Sequence, residues 1–333
     1  VKDHGGKGLV AWAETTWYNH HKPPTGGVPS ASQLPAQAAK PPPTTIPVKR
    51  ADTPTPVPTL AGTPIAGEGV WQPTGRKGAD GFPLLYTTFI RPDTIHTSLV
   101  IGLAWMDPKR VRFDLYSGSD QPGGPGWSLM APIATDVRPS LVAAFNSGFK
   151  LNDSHGGYFA EGRQAPGHPL QDGKASLVMF KDGTATVGQW GRDVVMGPNV
   201  EAVRQNLVML IDNGQEAANL NQNSLSQWGA TVANRTFVWR SGVGVDKQGH
   251  LIYAGGELTV QTLADVLQAA GAVRAMELDI NSTWVHFFSY QDDPAALGGT
   301  SGTRLLPAMS ASTELYFRPS GRDFIAAIAR PGV

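Results

Sequence analysis

From Gly67 onward, apolar residues come in short runs broken by turn residues, the texture of β-strands. Residues 96–106 and 110–116 flank Asp107-Pro108-Lys109, which predicts a hairpin. Residues 140–145 predict a short apolar strand that ends in polar residues and glycine. Residues 175–180 and 184–190 flank Asp182-Gly183, a strong two-residue turn signal. Residues 242–245 and 251–254 flank Lys247-Gln248-Gly249. Residues 275–280, 285–290 and 314–318 complete the predicted strands.

Two stretches carry helical spacing instead. Within residues 258–270, Val260, Leu263, Ala264, Val266 and Leu267 recur at helical intervals. Thr259 is the expected N-cap and Gly271 a natural stop. Residues 200–210 predict a shorter helix capped by Asn199. Many strands with few helices give an α+β fold, with a mixed, mostly antiparallel sheet core and a few packed helices.

Before Gly67 the pattern is different. Of the 27 prolines, 12 fall within residues 23–64, interleaved with Ala, Thr and Ser. Such a segment favours extended polyproline II and cannot sustain a helix. It reads either as a semi-rigid spacer or as a strap lying along its own domain. The expected division is an aromatic stub at 1–22 (Trp12, Trp17 and Tyr18), a Pro-rich linker or wrapping segment at 23–66, one enzyme-like domain at 67–319 and a tail at 320–333.

Composition narrows the function classes. Lys+Arg and Asp+Glu are equal at 27 each, which argues against broad electrostatic capture of nucleic acid or of an acidic membrane. The absence of cysteine removes disulfides, thiolate catalysis and cysteine-ligated zinc. No apolar run approaches the ~20 residues that span a bilayer. The chain opens on Val1 without a signal-peptide pattern, so an upstream signal or anchor is expected, and any membrane association would run through it.

Candidate chemistry gathers in three blocks. In a strand, Glu277, Asp279 and Asn281 would share one face while Met276, Leu278 and Ile280 take the other. A solvated strand face produces the same alternation. The aromatic flank Trp284, Phe287, Phe288 and Tyr290 favours a cleft, with Trp284, Phe287, Tyr290 and Tyr158 as candidate stacking rings for sugars. Carboxylates at this spacing suit general acid and base work. Asp279 and Asn281 together offer oxygen ligands for Ca2+ or Mg2+. The second block is Asn146-Ser147-Gly148-Phe149, followed by His155, Gly157, Tyr158, Glu161 and Arg163 in a glycine-dense stretch that permits close approach to a ligand. The third is Arg240 ahead of Ser241-Gly242-Val243-Gly244-Val245-Asp246. A planar guanidinium matches phosphate, although a structural ion pair is as good a reading for one arginine. The Gly-Val-Gly lacks a third glycine before a helix, which excludes a dinucleotide site.

These blocks, in this order, resemble the phosphodiester glycosidase family. Asn146-Ser147-Gly148-Phe149 is similar to the family's Asn-Gly-Gly-Phe-Phe. Arg240-Ser241-Gly242-Val243-Gly244-Val245-Asp246 is similar to its Arg-Thr-Ala-Val-Gly-Val-Asp. Gly271-Ala272-Val273 and Met276-Glu277-Leu278-Asp279 then stand where the family has Gly-Ala-Val and Leu-Asn-Leu-Asp. The family's following glycine-serine loop is replaced here by Ile280-Asn281-Ser282-Thr283-Trp284, similar to a variant of high-GC Gram-positive bacteria. The resemblance implies an extracytoplasmic hydrolase acting on a sugar-phosphate diester or related glycosidic bond in a cell-wall or surface polysaccharide. Its expected catalytic residues are Asp279, Glu277, Arg240 as phosphate clamp, and Glu161 as a second carboxylate. Asn146, Asn281, Gly148, His155, Gly157, Tyr158, Arg163 and Trp284 are the expected substrate contacts. The alternative is a glycan-binding or scaffold protein that uses the same cleft without chemistry.

Overall fold

In the computed structural model, residues 23–35, 53–220, 225–228, 237–296 and 298–333 are described. The first strands are β1 (Gln72–Pro73), β2 (Tyr86–Ile90), β3 (Ile101–Met106), β4 (Val111–Tyr116) and β5 (Leu141–Asn146). Next come β6 (Tyr158–Ala160), β7 (Arg163–Gln164), β8 (Ala175–Phe180), β9 (Ala185–Gln189) and β10 (Val200–Gln205). β11 (Met209–Asp212), β12 (Gln215–Glu216), β13 (Val238–Val245), β14 (Leu251–Leu258) and β15 (Arg274–Glu277) follow. β16 (Phe287–Asp292), β17 (Thr300–Arg304) and β18 (Phe324–Ala329) close the chain. The α-helices among the described residues are the single turns α1 (Leu151–Ser154) and α2 (Leu225–Trp228), and α3 (Val260–Ala269). The fold is the expected sheet-dominated α+β class, and every ladder between these strands is antiparallel.

Three sheets make up the body. The first runs β1-β2-β3-β14-β13-β15-β11-β12, the second β7-β6-β10-β8-β9, and the third β17-β16-β5-β18-β4. A shared core joins them: Val243 and Met276 of the first, Leu177 and Ala202 of the second, and Phe145 and Ile325 of the third are fully or nearly fully buried in one cluster. The opposite face of the first sheet carries α3, whose Leu263, Ala264, Val266 and Leu267 pack with Ile211, Ile252 and Ala254. Thr259 caps α3 as expected, in a reciprocal capping box with Thr262. Gly242 and Gly244 explain themselves here. A Cβ on Gly244 would lie 2.8 Å from the Ala272 Cβ, and one on Gly242 would lie 3.0 Å from Leu267 Cδ1. The Gly-Val-Gly run therefore lets α3 and the loop behind it settle onto β13.

The hairpins β8–β9 and β13–β14 form as expected. Four expectations are corrected. Residues 96–106 and 110–116 do not pair with each other. Asp107 turns the chain, its carbonyl accepting from Arg110 N and Val111 N, but β3 joins β2 and β14 while β4 joins β18. β3 is buried along its whole length and so needs a neighbour on each edge and cover on each face, which a free hairpin lacks. Residues 200–210 are not a helix but β10 and β11, and β10 buries Arg204 and Gln205 on faces where polar residues normally meet solvent, which removes the alternation that would reveal it. Residues 314–318 contain a 3-10 turn, Leu315–Phe317, that directs Tyr316 inward. Residues 320–333 are not a tail: β18 lies between β5 and β4 in the third sheet.

Parts of the Pro-rich segment lie against the domain. Gly26 N donates to Ile95 O at 2.7 Å, and Thr97 Oγ1 to Gly27 O at 2.8 Å. Val57 is buried, with its N–H on Gly69 O at 2.9 Å, and Trp71 Nε1 donates to Thr55 O at 2.8 Å. Gly69 is required there, since a Cβ would stand 2.0 Å from Val57 O. The aromatic stub and residues 36–52 lie outside the described residues. Among the described residues no helix is long and apolar enough to cross a membrane.

Candidate active site

The three sheets meet where β5 ends, β10 ends, β15 ends and β18 begins. Register fixes this: Phe324 at the start of β18 pairs with Asn146 at the end of β5, and Asn146 N donates to His286 O just ahead of β16. From β10, Asn206 reaches across, its Nδ2 donating to Glu277 O at 2.5 Å and Leu278 O at 2.9 Å. Strand ends suit a site, because the ladder stops and side chains converge from several elements onto groups the backbone no longer uses.

Asp279 stands at this junction. β15 ends at Glu277, yet Leu278 N and Asp279 O still bond to Ser241 O and Ser241 N, so the residue is held by backbone. Its Oδ1 accepts from Ile280 N at 2.8 Å and its Oδ2 from Arg322 Nη2 at 2.9 Å. The side chain is only 6 % exposed. Burial pushes its pKa up to about 6, against the pull of Arg322 and of the Ile280 N–H. Such a carboxyl exchanges a proton near neutral pH.

Asn146 braces the site from beneath. Its Nδ2 donates to Ser241 Oγ at 2.9 Å, and its Oδ1 lies 3.2 Å from the Tyr253 hydroxyl. His286 is buried with Nε2 2.6 Å from the Tyr316 hydroxyl. Desolvation, helped by Arg322, lowers its pKa to about 3, so it is a neutral imidazole at any working pH. Behind Arg322 lies a second, fully buried pair. Arg204 Nε donates to Asp323 Oδ2 at 2.7 Å and Nη1 to Gln205 O at 2.6 Å, while Nη2 bonds Phe149 O.

Of the expected residues, Asp279, Gly148 and Trp284 come together around Arg322, and Asn146 supports Asp279 through Ser241. Arg322 Nη2 also donates to Gly148 O at 2.6 Å, and its guanidinium lies 4.7 Å above the Trp284 ring. Glu277 and Arg240 are neighbours but face inward. Arg240 Nη1 bonds Glu277 Oε1 at 2.5 Å and Nε bonds Leu258 O at 3.2 Å. With 3 % of its side chain exposed and Nη1 on Glu277, Arg240 is turned away from the surface a phosphate would reach, which corrects the clamp expected of it. Burial drives the Glu277 carboxyl up to about 7 despite Arg240, with Asp279 adding a smaller push the same way.

The remaining candidates are structural. Glu161 is exposed, and its carboxylate accepts from Ser128 N and Leu129 N, each at 2.8 Å, pinning one loop to another. Tyr158 is fully buried with its hydroxyl 2.8 Å from Ser117 Oγ. Arg163 lies 3.9 Å over Trp127. His155 is an exposed left-handed residue at the end of α1. Gly157 allows close approach not to a ligand but to its own chain, since a Cβ would meet Pro169 O at 2.4 Å. Phe287 and Tyr290 are core residues and cannot stack on sugars. Asn281 is exposed, its Oδ1 closing a turn with Thr283 N at 2.8 Å. It therefore does not converge with Asp279 on a Ca2+ or Mg2+ position. The Asp279 carboxylate already faces a guanidinium, and no group of three His, Asp or Glu residues gathers among the described residues. A surface cavity of about 490 Å³, lined by Arg76, Arg112, Asp292 and Arg330, contains none of these site residues.

Residues 139–297 match the family model of the phosphodiester glycosidases. The resemblance to that family holds. The matched stretch contains Asn146, Asn206, Ser241, Asp279 and Trp284, and stops short of Arg322. Among solved structures, the catalytic domain of zebrafish N-acetylglucosamine-1-phosphodiester alpha-N-acetylglucosaminidase is 15 % identical, with a TM-score of 0.47 over 78 % of this chain and 87 % of that one. A hypothetical protein from Synechocystis is 15 % identical, with a TM-score of 0.40 over 74 % of this chain and 62 % of that one. No curated protein matches the chain.

Proposed function

We propose that the chain is an extracytoplasmic hydrolase that cleaves a sugar-phosphate diester or related glycosidic bond in a cell-wall or surface polysaccharide. The observation that carries this reading is Asp279, a nearly buried carboxyl with its pKa near 6, held where three sheets meet inside the family-matched region. A group poised there takes and returns a proton efficiently at neutral pH. Glu277 faces Arg240 and Glu161 staples a distant loop, so Asp279 is the one expected carboxylate that keeps an acid–base role.

One carboxylate is enough for a particular bond. A phosphate monoester is weakly basic and departs unprotonated, so the site needs only a base for the attacking water. Asp279 accepts the proton that water loses as its oxygen bonds to the anomeric carbon, and the pair of electrons in the broken carbon–oxygen bond leaves with the phosphate. Asn146 and Ser241 hold the backbone of Asp279 in place, since Asp279 N lies 3.3 Å from Ser241 Oγ. The test is to incubate the protein and its Asp279→Asn variant with purified wall glycans and sugar-phosphate diesters, measuring phosphate monoester and reducing ends. Release by the parent and none by the variant is expected. Retention on the polymer without release would instead mark a glycan binder.

A further inference from the structure

We infer that Arg322 is the specificity-determining residue for an anionic oxygen group on the ligand, and that it engages that group by exchanging its bond with Asp279. The inference rests on the hydrolase reading only for the identity of the site. Three arginines surround the junction and they differ in what they have left to give. Arg204 is 0 % exposed and Arg240 3 % exposed on the side chain, each with buried partners on its donors, whereas Arg322 keeps 13 %. Arg322 spends its described hydrogen bonds on one nitrogen, Nη2, shared between Gly148 O and Asp279 Oδ2. Its buried Nε has no partner among the described residues. A guanidinium has five N–H donors, so this one is under-used.

Its setting holds the fork without saturating it. The half-buried Trp284 ring lies 4.7 Å from the guanidinium carbon, within cation–π range. The Gly148 carbonyl anchors one edge at 2.6 Å. Gly148 has φ +153, a backbone conformation that side-chain-bearing residues rarely adopt, and the loop bearing this carbonyl lies in van der Waals range of the Asn206 amide. The Asp279 contact is the movable one. A phosphate oxygen offers the guanidinium the same charge-assisted geometry as the carboxylate and can accept from two nitrogens at once. Anion and Asp279 therefore compete for one cation. When the anion wins, Asp279 loses its countercharge and becomes more basic at the moment a base is needed.

The competition yields a test with opposite signs at its two ends. Inorganic phosphate, α-glucose 1-phosphate and glucose are titrated by calorimetry into the full chain at pH 7.5, with thermal unfolding as the check on folding. Phosphate and α-glucose 1-phosphate should bind and glucose should not. Arg322→Ala should lose at least tenfold in phosphate affinity, and Arg322→Lys, which keeps charge without the fork, should lose severalfold. Asp279→Asn should gain about tenfold, because the carboxylate competitor is gone. A merely structural Arg322–Asp279 pair would move neither ligand, and equal phosphate affinity in the parent, Arg322→Lys and Asp279→Asn overturns the inference. If Arg322→Ala fails to fold, the lysine and asparagine arms still decide. An Asp279→Asn variant that remains fully hydrolytic would sink the proposed chemistry while leaving this binding result standing.

Discussion

Replacing Asp279 by asparagine should separate stability from function. The carboxyl's pKa rises from 3.8 to about 6 on folding, because burial outweighs the help from Arg322. A raised pKa means that the folded chain holds the proton more tightly than the unfolded chain. The contribution is therefore fully present below the unfolded value near 4 and is lost as pH rises through 6. About two pKa units at ~1.4 kcal/mol each make the ionised carboxylate cost on the order of 3 kcal/mol at pH 7.5 relative to its protonated form. Asparagine keeps an acceptor for Ile280 N and removes that charge. That cost is already net of the help from Arg322, and asparagine stands in for the protonated carboxyl. The variant should therefore unfold within about 1 kcal/mol of the parent at pH 4, be more stable than the parent at pH 7.5 by up to ~3 kcal/mol, and show a flatter stability profile between them. Urea unfolding at pH 4, 5, 6 and 7.5 reads this directly, alongside hydrolysis assays on the same samples. A variant as pH-sensitive as the parent between pH 4 and 6 would refute the claim that burial dominates at Asp279, and retained hydrolysis would remove it from the mechanism.

Other outcomes follow from the same contacts. Arg240→Ala leaves Glu277 buried without its cation and should destabilise the fold by roughly 3–5 kcal/mol, read by urea unfolding at pH 7.5; a loss confined to ligand affinity would restore Arg240 as a clamp. Gly244→Val forces a side chain into the 2.8 Å gap to Ala272 and should cost on the order of 1–3 kcal/mol, with a lower urea midpoint. Glu161→Ala touches only the loop contact with Ser128 and Leu129, so kcat/KM should stay within about twofold of the parent on any accepted substrate. A large fall in kcat with unchanged folding would return Glu161 to the chemistry.

Local rules carried much of this protein in the sequence. Short β-like runs on either side of Asp182-Gly183 specified the β8–β9 hairpin, and Thr259 with five apolar residues at helical spacing specified α3. These signals are readable because their physics is short-ranged: a cap, a turn, one buried face. The motifs at Asn146, Arg240 and Asp279 also marked the neighbourhood of the site. Tertiary structure decided which side chains in that neighbourhood face one another. β18 is an apolar run buried on both faces and so showed no strand period, while β10 buries Arg204 and Gln205 against the usual polar-out pattern, and Arg204, Asn206, Arg322 and Asp323 were hidden with them. A charged residue's partner lies far along the chain, as with Arg322 and Asp279 or Arg204 and Asp323, and no local pattern encodes it. Only the register of β18 against β5 brings Arg322 to Asp279. Likewise, only the register of β13 against β15 shows that Arg240 faces inward to Glu277.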